Sequence, residues 1–424
     1  MSATAQPIVV TPPAARTTSR RMRALRVAPV RLPSLDAFRG LTVAAMLLVN
    51  NPGSRTDVYA PLRHAAWNGW TPTDLVFPFF LFIVGVTTHL SLSARTARGD
   101  DASAVRRQVL RRGATIFALG LLLNWIPFYQ SGAIAGHAHP SFGDRLLERL
   151  LDLRAMGVLQ RIGLAYVAAA ALTWRASARR VAATVIVLLV GYWMAMTLLP
   201  VPGELGTGAA LLGAPGHTMA AWADRVTLDW TRWGLGNHLR DGGAFDPEGV
   251  LSTLPAIATT MLGVLAGRWL GTHAPVAGRL RALSAAGLAA LAIGAAWGLA
   301  FPINKNLWTS SYVLFTAGAA ALVLCAVAWL MDVRGWRTWA RPLVVYGSNP
   351  MVAFIGSEVL ATVLHSTIKV KVDGHRIAAT EWIYRAFATG LSPCAASLAY
   401  ALAFVLVWYA VLLELHRRKI YFKV

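Results

Sequence analysis

The sequence predicts an all-α, polytopic integral membrane protein with about ten transmembrane helices and both termini in the cytoplasm. Three observations carry this. The 424 residues are 56% hydrophobic and only 14% charged, where an ordinary soluble domain is about 25% charged. Apolar stretches recur with the ~20 residues that a helix, rising ~1.5 Å per residue, needs to cross a hydrocarbon core ~30 Å thick. The basic residues are also divided unequally between the two sides that those stretches define.

The elements follow in order. Residues 1–31, rich in Ala, Pro, Thr and Arg without apolar periodicity, are expected to form a disordered basic cytoplasmic tail. Ser19-Arg20-Arg21 resembles a twin-arginine export signal, but Arg23, Arg26 and Arg31 interrupt the place of its apolar stretch. The tail is therefore expected to be retained. Residues 32–424 make the membrane domain, with spans near 36–51, 72–93, 108–126, 156–174, 181–200, 251–271, 281–301, 311–331, 342–364 and 394–415. Asp36 and Arg39 crowd the start of the first span, and Arg161 lies in the first turns of the fourth. A long outer loop, 201–250, separates the fifth from the sixth.

Net charge is +21, with 40 Lys and Arg against 19 Asp and Glu. With the amino terminus in the cytoplasm, 26 of the basic residues fall on the cytoplasmic side and 13 outside, and Arg161 completes the count. That asymmetry is the positive-inside signature, so the charge reads first as orientation. No basic motif interleaved with aromatic residues speaks for nucleic acid. Cys325 and Cys394 sit in apolar spans, where a free thiol behaves as a small buried hydrophobe. His137 and His139 are neighbours in a polar loop, and two histidines alone make a poor metal site, so no metal is predicted.

Four outward segments are more polar than linkers require. The first runs from Asn50-Asn51-Pro52-Gly53 through His64-Ala65-Ala66-Trp67-Asn68-Gly69-Trp70 to Thr71-Pro72-Thr73-Asp74. Asp74 is placed either as the acid of a capping box or as a site residue. His64 has no task in helix formation and is the side chain best able to exchange a proton near neutral pH. The second, Gly236-Asn237-His238-Leu239 and Asp246-Pro247-Glu248-Gly249, ends the long loop; its acids either favour the positive end of the next helix or face a site. The third is Pro302-Ile303-Asn304-Lys305-Asn306-Leu307-Trp308. In the fourth, Asn349-Pro350 breaks a span and Glu358 follows. Broken backbone within a span requires protein or a water-filled cavity around it, and an intramembrane acid is a functional candidate. Together they outline an outward-opening polar cavity.

Asp36-Ala37-Phe38-Arg39-Gly40, the Asn50–Asp74 stretch, Gly157-Val158-Leu159-Gln160-Arg161, Asp246-Pro247-Glu248-Gly249, Pro302–Trp308 and Gly347-Ser348-Asn349 occur in the order that resembles the heparan-α-glucosaminide N-acetyltransferase family, in its bacterial branch, from about residue 32 to residue 420. The resemblance implies ten spans here where the animal lysosomal enzyme has eleven. It implies residence in a bacterial inner membrane and transfer of an acetyl group from cytosolic acetyl-coenzyme A (acetyl-CoA) to the amine of a glucosamine-type sugar on the far side. It also implies a homodimer, for which Gly263-x-x-x-Gly267 offers a packing face. His64 matches the family's catalytic histidine, and Asn50 matches the asparagine that ends its first matching span.

An ammonium sugar becomes a nucleophile only on losing a proton, so His64 is expected to act as general base and Asn50 to hold the acetyl carbonyl. Direct transfer is preferred to an acetyl-histidine intermediate, because nothing in the sequence marks a second group dedicated to activating His64. Trp67, Asn68, Asp74, Asp246, Glu248, Lys305, Asn306, Asn349 and Glu358 are expected to line the acceptor site. Arg39, Arg111 and Arg112 are candidates for the phosphates of CoA. Arg161 is a further cofactor candidate, set against the transfer site itself or a buried pairing with Asp152 or Asp74. The competing readings are a membrane O-acyltransferase of envelope polysaccharide and an amino-sugar transporter.

Overall fold

Helices occupy every one of the ten predicted segments, and further short helices fill the loops between them. The computed structural model describes residues 33–129, 134, 139–231, 238–239 and 244–422. The tail 1–31, His137, Gly236 and Asn237 lie outside them. In chain order the described helices are α1 (Pro33–Asn50), α2 (Val76–Arg98), α3 (Ala102–Trp125), α4 (Phe142–Leu151), α5 (Val158–Thr173), α6 (Ala178–Thr197), α7 (Gly208–Leu211) and α8 (Met219–Leu228). There follow α9 (Thr253–Leu270), α10 (Val276–Trp297), α11 (Ser310–Ala328), α12 (Arg341–Ser348), α13 (Pro350–Thr362), α14 (Ala379–Ala388) and α15 (Pro393–Arg417).

Among the described residues, five stretches are long and apolar enough to cross a bilayer: Pro72–Arg98, Ala178–Thr197, Val276–Trp297, Ser310–Val333 and Pro393–Arg417. The pair Thr338–Ser348 and Pro350–Thr367, bent by 71° at Asn349, makes a sixth if counted as one span. The bend has a local cause, since Pro350 has no N–H to continue the ladder. α1, α3, α5 and α9 fall short of the same criterion for different reasons. α1 carries Asp36 and Arg39, α3 begins among four arginines, and α5 has only 16 residues. α9 is enclosed by α2, α5, α6 and α11, so it faces protein and accommodates Thr259 and Thr260, whose hydroxyls return to carbonyls one turn back.

α2 and α9 pack with their backbones in close approach. A Cβ on Gly263 would lie 2.0 Å from Phe82 O, and one on Gly267 would lie 2.9 Å from Val86 O. The small-residue face expected to serve a dimer is thus used inside the chain. Around this crossing lies the main core, with Leu81, Ile162, Met261, Trp308 and Tyr312 at its middle. A second cluster joins α1, α12 and α15 through Val43, Leu47, Tyr346 and Trp408.

One segment departs from the all-α expectation. β1 (Lys369–Val372) and β2 (His375–Ala378) pair antiparallel, Val372 opposite His375. Their turn is Asp373-Gly374, both with positive φ (48° and 84°), the dipeptide that suits a two-residue hairpin loop.

Candidate active site

The chain leaving α1 at Asn50 turns back over the end of the bundle. Gly53 N–H donates to Ser397 O (3.3 Å) and Ser54 N–H to Ser397 Oγ (3.1 Å), which ties this loop to α15. It then runs to the 3₁₀ turn Pro72–Leu75 that starts the α2 span. Asp74 lies in that turn, and its Oδ2 accepts from the N–H groups of Thr71 and Ala65, both at 3.0 Å. Its Oδ1 is left for His64 Nδ1, 2.6 Å away. A carboxylate only accepts, so Nδ1 carries the hydrogen and the lone pair of the ring is on Nε2. Asp74 is therefore both cap and site residue. Its side chain is 1% exposed while that of His64 is 47% exposed. A buried acid thus orients a histidine that faces out, the arrangement by which an acid holds a general base in one tautomer.

The Pro302–Trp308 string meets this loop from the other side. Gly69 N–H donates to Ile303 O (2.8 Å), and Asn304 Nδ2 donates to Asn68 Oδ1 (3.1 Å). Asn304 also accepts from Leu307 N–H through Oδ1 (2.9 Å), which folds the string into a tight loop. Lys305 then reaches back, its Nζ 3.0 and 3.2 Å from the two ring nitrogens of His64 and 3.8 Å from Asp74 Oδ1. With Nδ1–H turned to Asp74, the nitrogen that accepts from Lys305 is Nε2.

A third strand of the site is built from acids and arginines. Arg154 grips Asp246 with two hydrogen bonds, Nε to Oδ2 at 2.8 Å and Nη2 to Oδ1 at 2.6 Å, and also bonds Glu248. Asp224 of α8 accepts from the N–H groups of Val250 (2.8 Å) and Asp246 (3.2 Å). Gly249 lies so close that a Cβ there would come within 2.1 Å of the Asp224 carboxylate. Burial pushes the Asp224 carboxyl up to about 7, and the two N–H groups offset only part of this. Burial also pushes Glu248 up, but Arg154, Arg161 and Lys305 outweigh it and hold its carboxyl below the ordinary value. Buried carboxylates without such partners would take up protons instead.

These pieces surround a cavity of about 710 Å³. Asn50, His64, Glu248, Lys305, Asn306 and Glu358, six of the expected residues, line it together. Asn50 Nδ2 donates to Glu358 Oε1 at 3.5 Å. Leu123, Val158, Leu159, Phe354 and Val359, from α3, α5 and α13, give the lining an apolar portion. Its lining also includes residues that the sequence reading did not single out for a role: Arg55, Arg63, Asn124, Arg154 and Gln160. Gln160 is buried, and its Nε2 has no hydrogen-bond partner. The one sequence signal for Arg154 is a basic residue just ahead of a span on the side poor in them.

The other expected residues stand elsewhere. Trp67 donates to Leu212 O (2.8 Å) and packs edge-on against Phe245, so it pins the long loop. Asn68 is occupied by Asn304. Asp246 is buried behind Arg154 and supports Glu248, whose N–H it accepts (2.8 Å). Asn349 is fully buried at the α12–α13 break, where its amide binds Ile420 O (2.9 Å) and Phe422 N–H (3.0 Å). It holds the end of the chain and does not line the cavity. Arg161 is 0% exposed, with its guanidinium over the Trp308 ring and Nη2 donating to Ser252 Oγ and Gly249 O. A nucleotide has no access to it, and its partners are neither Asp152 nor Asp74. Arg39 bonds Asp36 and Gly347 O, and Arg112 covers the Tyr166 ring. Neither these two nor exposed Arg111 lines the cavity. Among the described residues no group of three or more His, Cys, Asp or Glu is arranged to hold a metal ion.

Comparison with known proteins gives this geometry a lineage. A family described as "Heparan-alpha-glucosaminide N-acetyltransferase, catalytic" matches residues 31–296, which include the His64–Asp74 pair, Arg154 and the Asp246–Gly249 string. The Heparan-alpha-glucosaminide N-acetyltransferase of Mus musculus is 31% identical over 377 residues, covering 78% of this chain and 54% of the relative. That of Homo sapiens is 30% identical over 380 residues, covering 79% and 54%. The chain thus spans about half the length of the curated relatives it matches. It belongs to the heparan-alpha-glucosaminide N-acetyltransferase family.

Proposed function

We propose that the chain is a multi-pass transmembrane acetyltransferase that carries the acetyl group of cytosolic acetyl-CoA to the amine of a glucosamine-type sugar on the outer face of a bacterial inner membrane. The observation that carries this reading is the buried Asp74 orienting cavity-facing His64, with Asn50 in the same cavity, in a chain of this family. The cavity lining draws residues from 49–66, 247–248 and 305–306, in the segments read as outer, opposite the segments that collect 26 of the 40 basic residues, which supports ten spans, cytoplasmic termini and an outward acceptor site.

In this mechanism His64 Nε2 takes the proton of the attacking amine and returns it to the leaving thiolate of CoA. Asn50 Nδ2 and Gln160 Nε2 supply neutral donors for the acetyl carbonyl as it becomes an oxyanion. Lys305 swings from Nε2 when the amine arrives, and with Asn306 and Glu248 it binds sugar hydroxyls. Arg55, Arg63 and Arg154 supply positive charge around the cavity, while exposed Arg111 and Arg112 are the arginines for the CoA phosphates on the opposite side, Arg39 being engaged by Asp36 and Gly347 O. The expectation of direct transfer rested on His64 having no activating partner. Asp74 is that partner, and the pair serves direct transfer as a general base without need of a covalent intermediate. Family membership favours N-acetylation over O-acylation and over sugar transport. A homodimer, if formed, uses a surface other than the Gly263–Gly267 face.

Purified protein given acetyl-CoA and glucosamine is expected to make N-acetylglucosamine, and His64→Ala to lose on the order of 10²–10⁴-fold in rate, the usual worth of a positioned base. A His64→Ala variant with full activity contradicts the assignment.

A further inference from the structure

The proposed reaction moves two protons off one nitrogen, and His64 accounts for only one of them. An ammonium sugar and acetyl-CoA give an amide, free CoA thiol and one proton. One C–N bond forms, one C–S bond breaks, and the hydrogens on nitrogen fall from three to one. His64, with Nδ1–H committed to Asp74, has a single vacant lone pair. It takes the proton lost as the amine attacks and passes it to the thiolate sulfur. The other proton must leave earlier, because an ammonium has no lone pair with which to attack, and it is the proton released overall.

Resting on the acetyl-transfer reading, we propose that Glu358 binds the acceptor's ammonium and takes that first proton. Two carboxylates line the cavity, Glu248 and Glu358. Glu248 is ion-paired with Arg154, and Asp74 is enclosed behind His64. Glu358, half-buried on α13, has no basic side chain in ion-pair contact among the described residues. Asn50 of α1 donates to it at 3.5 Å, and the charge that faces it is Arg55, from the loop after α1. The remaining charged groups of the lining are His64, Arg63, Arg154 and Lys305. In a cavity rich in cations, Glu358 is the acid left for an ammonium, held by a charge-assisted hydrogen bond. Because Glu358 shares Asn50 with the acetyl carbonyl, an amine released there lies next to the carbon it attacks. The carboxylic acid formed then ionises to water on the open side.

The test compares two acceptors in the full chain, each with acetyl-CoA. Glucosamine is an ammonium near neutral pH, whereas hydroxylamine is already a free base and has no first proton to surrender. Glu358→Gln keeps the acceptor for Asn50 and removes only the charge. It is expected to lose on the order of 10²-fold in kcat/KM on glucosamine, less than about 3-fold on hydroxylamine, and to regain glucosamine activity as pH rises and free amine accumulates. The ratio between the acceptors is the readout, so a lower folded fraction cancels from it. Glu358→Asp, which retains the charge, is expected to keep a ratio near that of the wild type. An unchanged ratio in Glu358→Gln overturns the proposal. Wild-type protein that acetylates neither acceptor overturns the acetyl-transfer reading itself.

Discussion

At His64 one hydrogen bond sets which ring nitrogen keeps a lone pair for the proposed chemistry. Asp74 Oδ1 accepts from Nδ1–H at 2.6 Å, so Nε2 is the basic atom, and it faces Lys305 and the cavity. Replacing Asp74 by Asn retains an oxygen for the N–H groups of Ala65 and Thr71 but turns an NH₂ toward Nδ1. That favours the other tautomer, with the hydrogen on Nε2 and no base for the amine. Asp74→Asn is expected to lower kcat by about 10²–10⁴-fold with KM for glucosamine little changed, while thermal melting moves by only a few degrees; steady-state kinetics and a melt on the same preparation check both. The sequence allowed two roles for Asp74, cap or site, and treated them as rivals. Two carboxylate oxygens let it do both, and no sequence pattern distinguishes an acid that uses one oxygen from an acid that uses two. Asn349 shows the opposite error. A polar residue at a helix break looks like a cavity residue, but the break is closed by the chain's own Ile420 and Phe422.

At the scale of elements, the long loop acts as a strap that aims Glu248 inward. Arg154 and Asp246 are 92 residues apart in sequence, so their pairing had no local signature, whereas the helices did, through apolar length. Removing one partner of a buried pair of this kind costs about 3–5 kcal/mol, and the strap therefore depends on Arg154. α8 contributes Asp224, whose carboxyl burial raises to about 7 from an ordinary value near 3.8. Folded protein thus binds a proton that unfolded protein releases between those two values. Stability from this group is complete below the lower value, declines as pH rises, and levels off above about 7. The steepest decline is about 1.4 kcal/mol per pH unit. Asp224→Asn is expected to flatten the melting temperature against pH between pH 5 and pH 8, relative to wild type, and parallel slopes for the two proteins contradict this. The hairpin was legible in principle, since Val370 and Val372 alternate with lysines ahead of Asp373-Gly374. Hydropathy over span-length windows passes over so short a signal.

For the whole molecule, the proposed reaction requires that the two faces of the membrane see different substrates. In the proposed reaction the side rich in arginine would meet the polyanionic donor, and the cavity, on the other side, would hold the polar residues that act on the acceptor. Apolar length made the helical membrane character readable in the sequence, and charge asymmetry is the ground on which the orientation is proposed. The meeting of residues 64, 248, 305 and 358 was expected from the four polar segments, whereas Arg154, which joins them in the lining, carried no signal for its pairing with Asp246 and Glu248. The most direct measurement uses sealed vesicles containing the full chain in one orientation. Acetyl-labelled acetyl-CoA is supplied on the face of the basic loops and glucosamine on the face of the cavity. Labelled N-acetylglucosamine should appear on the sugar side while CoA stays where it was supplied. Passage of unmodified glucosamine without acetylation, or acetylation only when both substrates share one side, would contradict transfer across the membrane.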